Sequence, residues 1–168
     1  MINGAYMHLL INHVSLIAIP VSLVFLIFLK TNEAKRVALV ILTLSCLATI
    51  PIYLTGDPAE HVLKLWHVAD LHNKVEPHED AAEVALILSI LTAVAAAAGV
   101  WKSGDKRIER VSMLMAFVTT VSLGVTAFYG GFIRHPEAHQ PPPPQQISAP
   151  ADSATTPTPS SSEGGVSK

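Results

Sequence analysis

The chain has 168 residues, of which 50% are hydrophobic and 14% are charged, and its formal net charge is −2. This composition is too apolar for an ordinary soluble domain of such length. Nucleic acid is not an expected partner, because the sequence has no stripe of Lys and Arg with interleaved aromatic residues. The single cysteine, Cys46, has no partner for an internal disulfide, and we interpret it as a small buried filler.

Four apolar runs dominate the first 137 residues. They lie near Leu10–Leu29, Val37–Leu54, Ala81–Val100 and Val111–Phe132. Each approaches the roughly 20 residues that a helix needs to cross a bilayer core. The first run follows no basic segment and precedes no small-residue cleavage site, so we interpret it as a retained helix. The sequence therefore predicts an all-α integral membrane protein, a four-helix up-down-up-down bundle with short connections.

The basic residues predict the orientation of this bundle. The connections at residues 30–36 and 101–110 hold seven of the eleven Lys and Arg residues. Short basic loops stay on the cytoplasmic side of a membrane. We therefore expect a bacterial inner-membrane protein whose termini and long connection, residues 55–80, face the outside, which is the periplasm in a two-membrane bacterium.

Two further segments have their own composition. Residues 58–72 predict a short amphipathic helix on the outer interface, opened by Asp57 and Pro58 and anchored by Trp66. Glu76 and Pro77 then predict the start of the third membrane helix. Residues 138–168 are rich in Pro, Ser and Thr, and we expect this tail to be disordered because it has too little apolar surface to bury.

The histidines are the strongest functional signal. All eight fall on the side predicted to be outer, at positions 8, 13, 61, 67, 72, 78, 135 and 139. Neutral imidazole is a common ligand of metals and haem iron. By depth, His13 lies about one turn inside the membrane boundary beside Asn12, where polar side chains usually face the bundle interior. Its alternative role is an interfacial side chain bonded to a backbone carbonyl.

The ends of the third and fourth runs add candidates at the same depth. Glu79 and Glu83 share a helix face after His78, and they are suited to bind a cation, take a proton or orient an imidazole. They also fit a plain acidic first turn. In the fourth run, Gly130 and Gly131 leave room for a flat group. Arg134 and His135 follow at the end of this run. The Arg134 guanidinium is suited to pair with a carboxylate or a propionate.

Three hypotheses follow. The first is a b-type haem for electron transfer with a redox or membrane-complex partner at the outer face. Two of His13, His78 and His135 would be its iron ligands, with Arg134 near a propionate and Gly130 and Gly131 making room. The second is a zinc or copper site built from His13, His78, Glu79, Glu83 and His135. The third is a cofactor-free accessory subunit. No nucleophile elbow, phosphate-binding loop or dinucleotide fingerprint indicates an enzyme.

Several of these motifs together carry a family resemblance. Residues 12–13, 51–60, 77–83 and 130–137 resemble an uncharacterised family of small bacterial four-helix membrane proteins, a domain of unknown function with histidine-marked helix ends. The resemblance covers roughly residues 5–137. Because relatives of that broad family are loosely similar to membrane b-type cytochromes, the resemblance implies electron transfer by analogy only.

Overall fold

The computed structural model describes residues 4–65 and 71–134, and these residues form helices without any strand. The helices are α1 (Gly4–Phe28), α2 (Asn32–Leu47), α3 (Thr49–Leu54), α4 (Gly56–Leu65), α5 (Leu71–Trp101) and α6 (Lys106–Arg134). Helix α3 continues the direction of α2 after a single intervening residue, Ala48. The predicted all-α class is therefore confirmed for the described part of the chain.

Within those described ranges, four helical segments are long and apolar enough to cross a membrane. They are His8–Phe28, Asn32–Leu54, His72–Trp101 and Lys106–Ile133. Large apolar side chains cover their outside: Phe28 is 73% exposed, Val94 65% and Leu114 63%. A water-soluble protein rarely exposes so continuous an apolar surface. The fold is thus compatible with a helical membrane bundle whose surface contacts lipid.

The four long helices form a ring in the order α1, α2, α5, α6. Each packs against its two neighbours, and α6 returns to α1. Helix α1 is therefore diagonally opposite α5. We call the end that carries the start of α1, α3, α4, the start of α5 and the end of α6 the histidine end. The opposite end, formed by the α1–α2 and α5–α6 connections, is the basic end.

Interior positions recur with alternating steps of three and four residues on all four helices. This heptad spacing is that of a left-handed helical bundle. The interior positions are 8, 12, 15, 19, 22 and 26 on α1; 35, 38, 42, 45, 49 and 52 on α2 and α3; 78, 82, 85, 89, 92, 96 and 99 on α5; and 109, 112, 116, 119, 123, 126 and 130 on α6. Most carry Ser, Thr, Ala or Gly, which let helices approach closely where lipid removes the hydrophobic driving force.

Polar contacts tie the helices together at three levels of this interior. Ser15 donates to the Ser45 carbonyl at 2.9 Å, linking α1 to α2. The Thr92 and Thr119 hydroxyls are 2.7 Å apart and link α5 to α6. At the basic end Lys35 of α2 forms an ion pair with Glu109 of α6. Buried apolar side chains that include Ile19, Leu42, Ala96 and Ala116 fill the centre between these levels.

Two element boundaries differ from the sequence-based expectation. The amphipathic helix is present as α4, Gly56–Leu65, but Trp66 and the rest of its predicted length to residue 70 lie outside the described residues. Helix α5 begins at Leu71, so Pro77 lies inside it instead of opening it. Proline removes one backbone hydrogen bond, and buried Val75 provides packing that holds this first part of α5 in place. The predicted disordered tail also lies outside the described residues.

Candidate functional site

A cavity of about 290 Å³ opens at the histidine end of the bundle. Helices α1, α3, α4, α5 and α6 all contribute to its wall. Its lining residues include two imidazoles, four carboxylates and a floor of small or apolar side chains: His8, His78, Asp57, Glu79, Asp80, Glu83, Thr49, Ile52, Ala85, Leu86, Leu123 and Thr126. The volume is close to the lower limit of roughly 300–1,000 Å³ that is usual for small-molecule sites.

His8 enters the cavity from α1 and is fixed by two acceptors on the segment after α2. Its Nδ1 lies 3.1 Å from the Ile52 carbonyl oxygen and 3.0 Å from the Thr55 hydroxyl oxygen. A carbonyl oxygen only accepts, so Nδ1 must carry the hydrogen. The Thr55 hydroxyl donates its own hydrogen to the Ile52 carbonyl at 2.7 Å and is therefore an acceptor for His8. All three contacts therefore require the His8 tautomer that carries its hydrogen on Nδ1.

His78 enters from α5, diagonally opposite His8. Its Nδ1 donates to the Thr126 carbonyl oxygen of α6 at 3.0 Å. Gly130, one helical turn further along α6, permits this approach, because a Cβ added there would lie 3.3 Å from His78 Cε1. Packing thus explains one of the two helix-end glycines: the His78 ring fills the space at Gly130, whereas a Cβ at Gly131 would meet nothing within 4 Å.

Both rings consequently present the same chemistry. With Nδ1–H bonded to a carbonyl, the lone pair lies on Nε2, which is how histidines are prepared to ligate metals. The two imidazoles line one cavity. Sites of this kind in helical bundles are built from side chains on facing helices. The arrangement therefore offers two neutral nitrogen donors from opposite sides of the bundle axis.

The mouth of the cavity is acidic. Asp57, Glu79, Asp80 and Glu83 line it and are exposed, whereas the described lining residues include no Lys or Arg. Glu79 and Glu83 thus lie where the sequence predicted them, one turn apart beside His78. Such a charge distribution attracts cations towards the imidazoles.

The expectation that His13 faces the bundle interior is wrong. Its side chain is exposed on the outer surface of α1, and Nδ1 donates to the Leu9 carbonyl of the same helix at 2.6 Å. The physical reason is helical register: His13 is two residues before buried Ser15, about 200° around the helix. His8 precedes Ser15 by seven residues and shares its face. The structure therefore places His8, not His13, in the cavity with His78.

The remaining candidates divide between exposed positions and undescribed ones. His61 is exposed on α4, and His72 Nε2 lies 4.0 Å from Glu76 on the surface of α5, as their four-residue spacing predicted. Arg134 ends α6, but its side chain lies outside the described part of the structure. His67, His135 and His139 lie outside it altogether, so the predicted roles of Arg134 and His135 stay predictions.

The described residues offer few ligands for a metal ion without a porphyrin. Across residues 4–65 and 71–134, no group of three or more His, Cys, Asp or Glu side chains is arranged to hold one. Cys46 is buried in the core and lies outside the cavity lining. The donor set in the cavity is therefore a pair of histidines with carboxylates at their rim.

Comparison with known proteins adds no constraint on this geometry: no protein-family model, curated protein or solved structure matches the chain.

Proposed function

We propose that the protein is a multi-pass membrane protein that binds a b-type haem at its histidine end, with His8 and His78 as the two iron ligands. When bound, haem supplies one-electron redox chemistry. The protein would then transfer single electrons to or from a partner at that face. The sequence-based hypothesis drew the ligand pair from His13, His78 and His135, and we now propose His8 with His78.

The observation that carries this proposal is the matched pair of Nδ1 hydrogen bonds. His8 donates to Ile52 and Thr55, and His78 donates to Thr126. These bonds leave the lone pair of each ring on Nε2, and both histidines line the shared cavity. Two imidazoles complete the coordination of a haem iron, whereas a zinc or copper ion bound by protein alone commonly needs three or four ligands. The ligand count therefore favours haem over a bare ion.

The charge distribution supports the predicted orientation. The seven basic residues of the two short connections lie at the basic end, and the positive-inside rule places that end in the cytoplasm. We therefore propose a bacterial inner-membrane location with the histidine end and both termini outside. The redox or membrane-complex partner would then approach from the periplasmic face.

The test is spectroscopic. The full chain would be expressed with ample haem, purified in detergent and titrated with haem, and its absorption and electron paramagnetic resonance spectra recorded. We expect a Soret band and a low-spin ferric signal, the signature of two imidazole ligands. His8→Ala and His78→Ala should each abolish the low-spin signal.

His13→Ala is the matched control, because His13 lies on the same helix but faces outwards. It should leave the spectrum unchanged. A wild-type protein that remains colourless after haem titration would overturn the proposal, and so would a low-spin signal that survives His8→Ala but is lost in His13→Ala.

A second candidate is a zinc or copper site, and the acidic mouth favours it. Glu79 and Glu83 line the same cavity as His78, and their exposed side chains would have to move towards it to add oxygen ligands to a cation held by an imidazole. Metal analysis of the purified protein separates the candidates. Stoichiometric zinc or copper without porphyrin, lost in Glu79→Gln and Glu83→Gln, would support this second function, while a protein with neither metal nor pigment that copurifies with a partner would support an accessory subunit.

A further inference from the structure

The basic end is one continuous surface formed by both short connections. Lys35 at the start of α2 pairs with Glu109 at the start of α6. Gly104 in the α5–α6 connection comes close to Asn32, whose Nδ2 would lie 3.7 Å from an added Cβ. The two connections are therefore packed against each other, and their charges act together.

Two acidic residues of this end, Asp105 and Glu109, are occupied within the fold, whereas Glu33 in the first turn of α2 is exposed. Glu109 accepts from Lys35 and from Lys106, the latter at 3.2 Å. Asp105 accepts from the Arg107 backbone N–H at 2.9 Å and so caps α6. The cationic groups that remain exposed beyond these contacts include Lys30, Arg36, Lys102 and Arg107. Because these four cations outnumber the exposed Glu33, the surface has a net positive charge towards its surroundings.

Aromatic side chains place this surface at the level of lipid head groups. Trp101 is 89% exposed and directly precedes Lys102, and Phe28 is 73% exposed two residues before Lys30. Tryptophan prefers the boundary between hydrocarbon and head groups, and a neighbouring lysine reaches outwards to the phosphates. The end of α1 and the end of α5 therefore both lie at the depth of the lipid head groups.

We propose that the basic end is a binding surface for anionic phospholipid, with phosphatidylglycerol as the type of head group that it recognises. Lys30, Arg36, Lys102 and Arg107 supply the charges, and Trp101 packs against the adjoining acyl chains. This inference rests on the proposed membrane location, but it is independent of haem.

Tryptophan quenching tests the proposal directly. The chain has two tryptophans, Trp66 and Trp101, so Trp66→Phe leaves Trp101 as the only emitter. The full chain would be reconstituted in mixed vesicles in which only phosphatidylglycerol, or only phosphatidylcholine, carries brominated acyl chains at equal mole fraction. We expect brominated phosphatidylglycerol to quench Trp101 more strongly, with a local enrichment of roughly fivefold, the factor that one Lys or Arg near an anionic surface supplies.

Matched variants distinguish lipid binding at the basic end from a general effect of positive charge on the protein. Lys30→Gln, Arg36→Gln, Lys102→Gln and Arg107→Gln combined should abolish the enrichment, whereas Lys64→Gln with Lys74→Gln, at the histidine end, should preserve it. Raised salt should reduce it, and soluble glycerol phosphate should not compete at similar ionic strength. Equal quenching by the two brominated lipids would overturn the lipid proposal, and no quenching by either would overturn the membrane location on which it rests.

Discussion

His8 and His13 lie five residues apart on one helix, and their different surroundings show how register selects a functional side chain. His8 shares a face with Ser15, Ser22 and the rest of the α1 interior, and it finds two acceptors on the segment after α2. His13 faces outwards and bonds to its own helix. His8 lies about 7.5 Å further out along the helix than His13, so depth alone favoured His13, whereas the helical register places His8 in the interior.

Thr55 should be a positioning residue for His8. Thr55→Val keeps the side-chain shape but removes the hydroxyl that accepts from Nδ1. We expect haem affinity to fall roughly tenfold, the usual lower limit for loss of a group that orients a ligating histidine. Haem titration measures this affinity. Thr55→Ser should restore affinity, and Thr43→Val, which removes a hydroxyl bonded only to the Leu39 carbonyl in the described structure, is the control that should leave it unchanged.

Gly130 and Gly131 form a matched pair for a second residue-scale prediction. Gly130→Ala would set a methyl group 3.3 Å from His78 Cε1, so the ring must move and its bond to Thr126 should weaken. Gly131→Ala meets open space and should stabilise α6 by about 0.5–1 kcal/mol through helix propensity. Haem titration and thermal unfolding in detergent would show reduced affinity in the first variant only. Equal affinity in both would contradict the packing argument.

At the scale of helices, hydroxyl groups replace the large apolar side chains of a soluble core. Most of these hydroxyls donate to a carbonyl one turn back in their own helix, as Ser89 does to Ala85 at 2.7 Å. Fewer link neighbouring helices, and Ser15 to Ser45 and Thr92 to Thr119 are two such links. Ser112 differs from both groups, because its buried Oγ has no hydrogen-bond partner among the described residues.

This difference predicts opposite effects for two similar substitutions. Ser15→Ala removes a bond between helices and should destabilise the bundle by roughly 0.6 kcal/mol, the average for such bonds in membrane proteins. Ser112→Ala removes a buried hydroxyl without a partner and should be neutral or stabilising. Denaturant unfolding in detergent compares the two variants with wild type. If Ser112→Ala proves the more damaging one, Ser112 must have a partner that the described contacts do not include.

At the scale of the whole molecule, charge is separated between the two ends. Carboxylates surround the cavity at the histidine end, whereas lysines and arginines dominate the basic end. A membrane protein with this separation has one favoured orientation, because translocating the short basic connections is unfavourable. The ring of antiparallel helices fixes which residues share each side.

Sidedness follows as a prediction for intact cells. In a Cys46→Ser background, His61→Cys at the histidine end should react with a membrane-impermeant thiol reagent added outside. Ser103→Cys at the basic end should react only after the membrane is opened. Mass spectrometry of the purified protein quantifies both labels, and the reverse pattern would contradict the proposed orientation.

The sequence by itself determined the four apolar helices and the separation of histidines from basic residues, because hydropathy and charge are local properties. It also contained the interior spacing of three and four residues, which would have selected His8 and His78 had it been applied to every helix. Only the tertiary structure decided that His8 meets Thr55, 47 residues away, and that the His78 ring fills the space at Gly130. Those contacts depend on how neighbouring helices align, and alignment arises from packing that no single segment encodes.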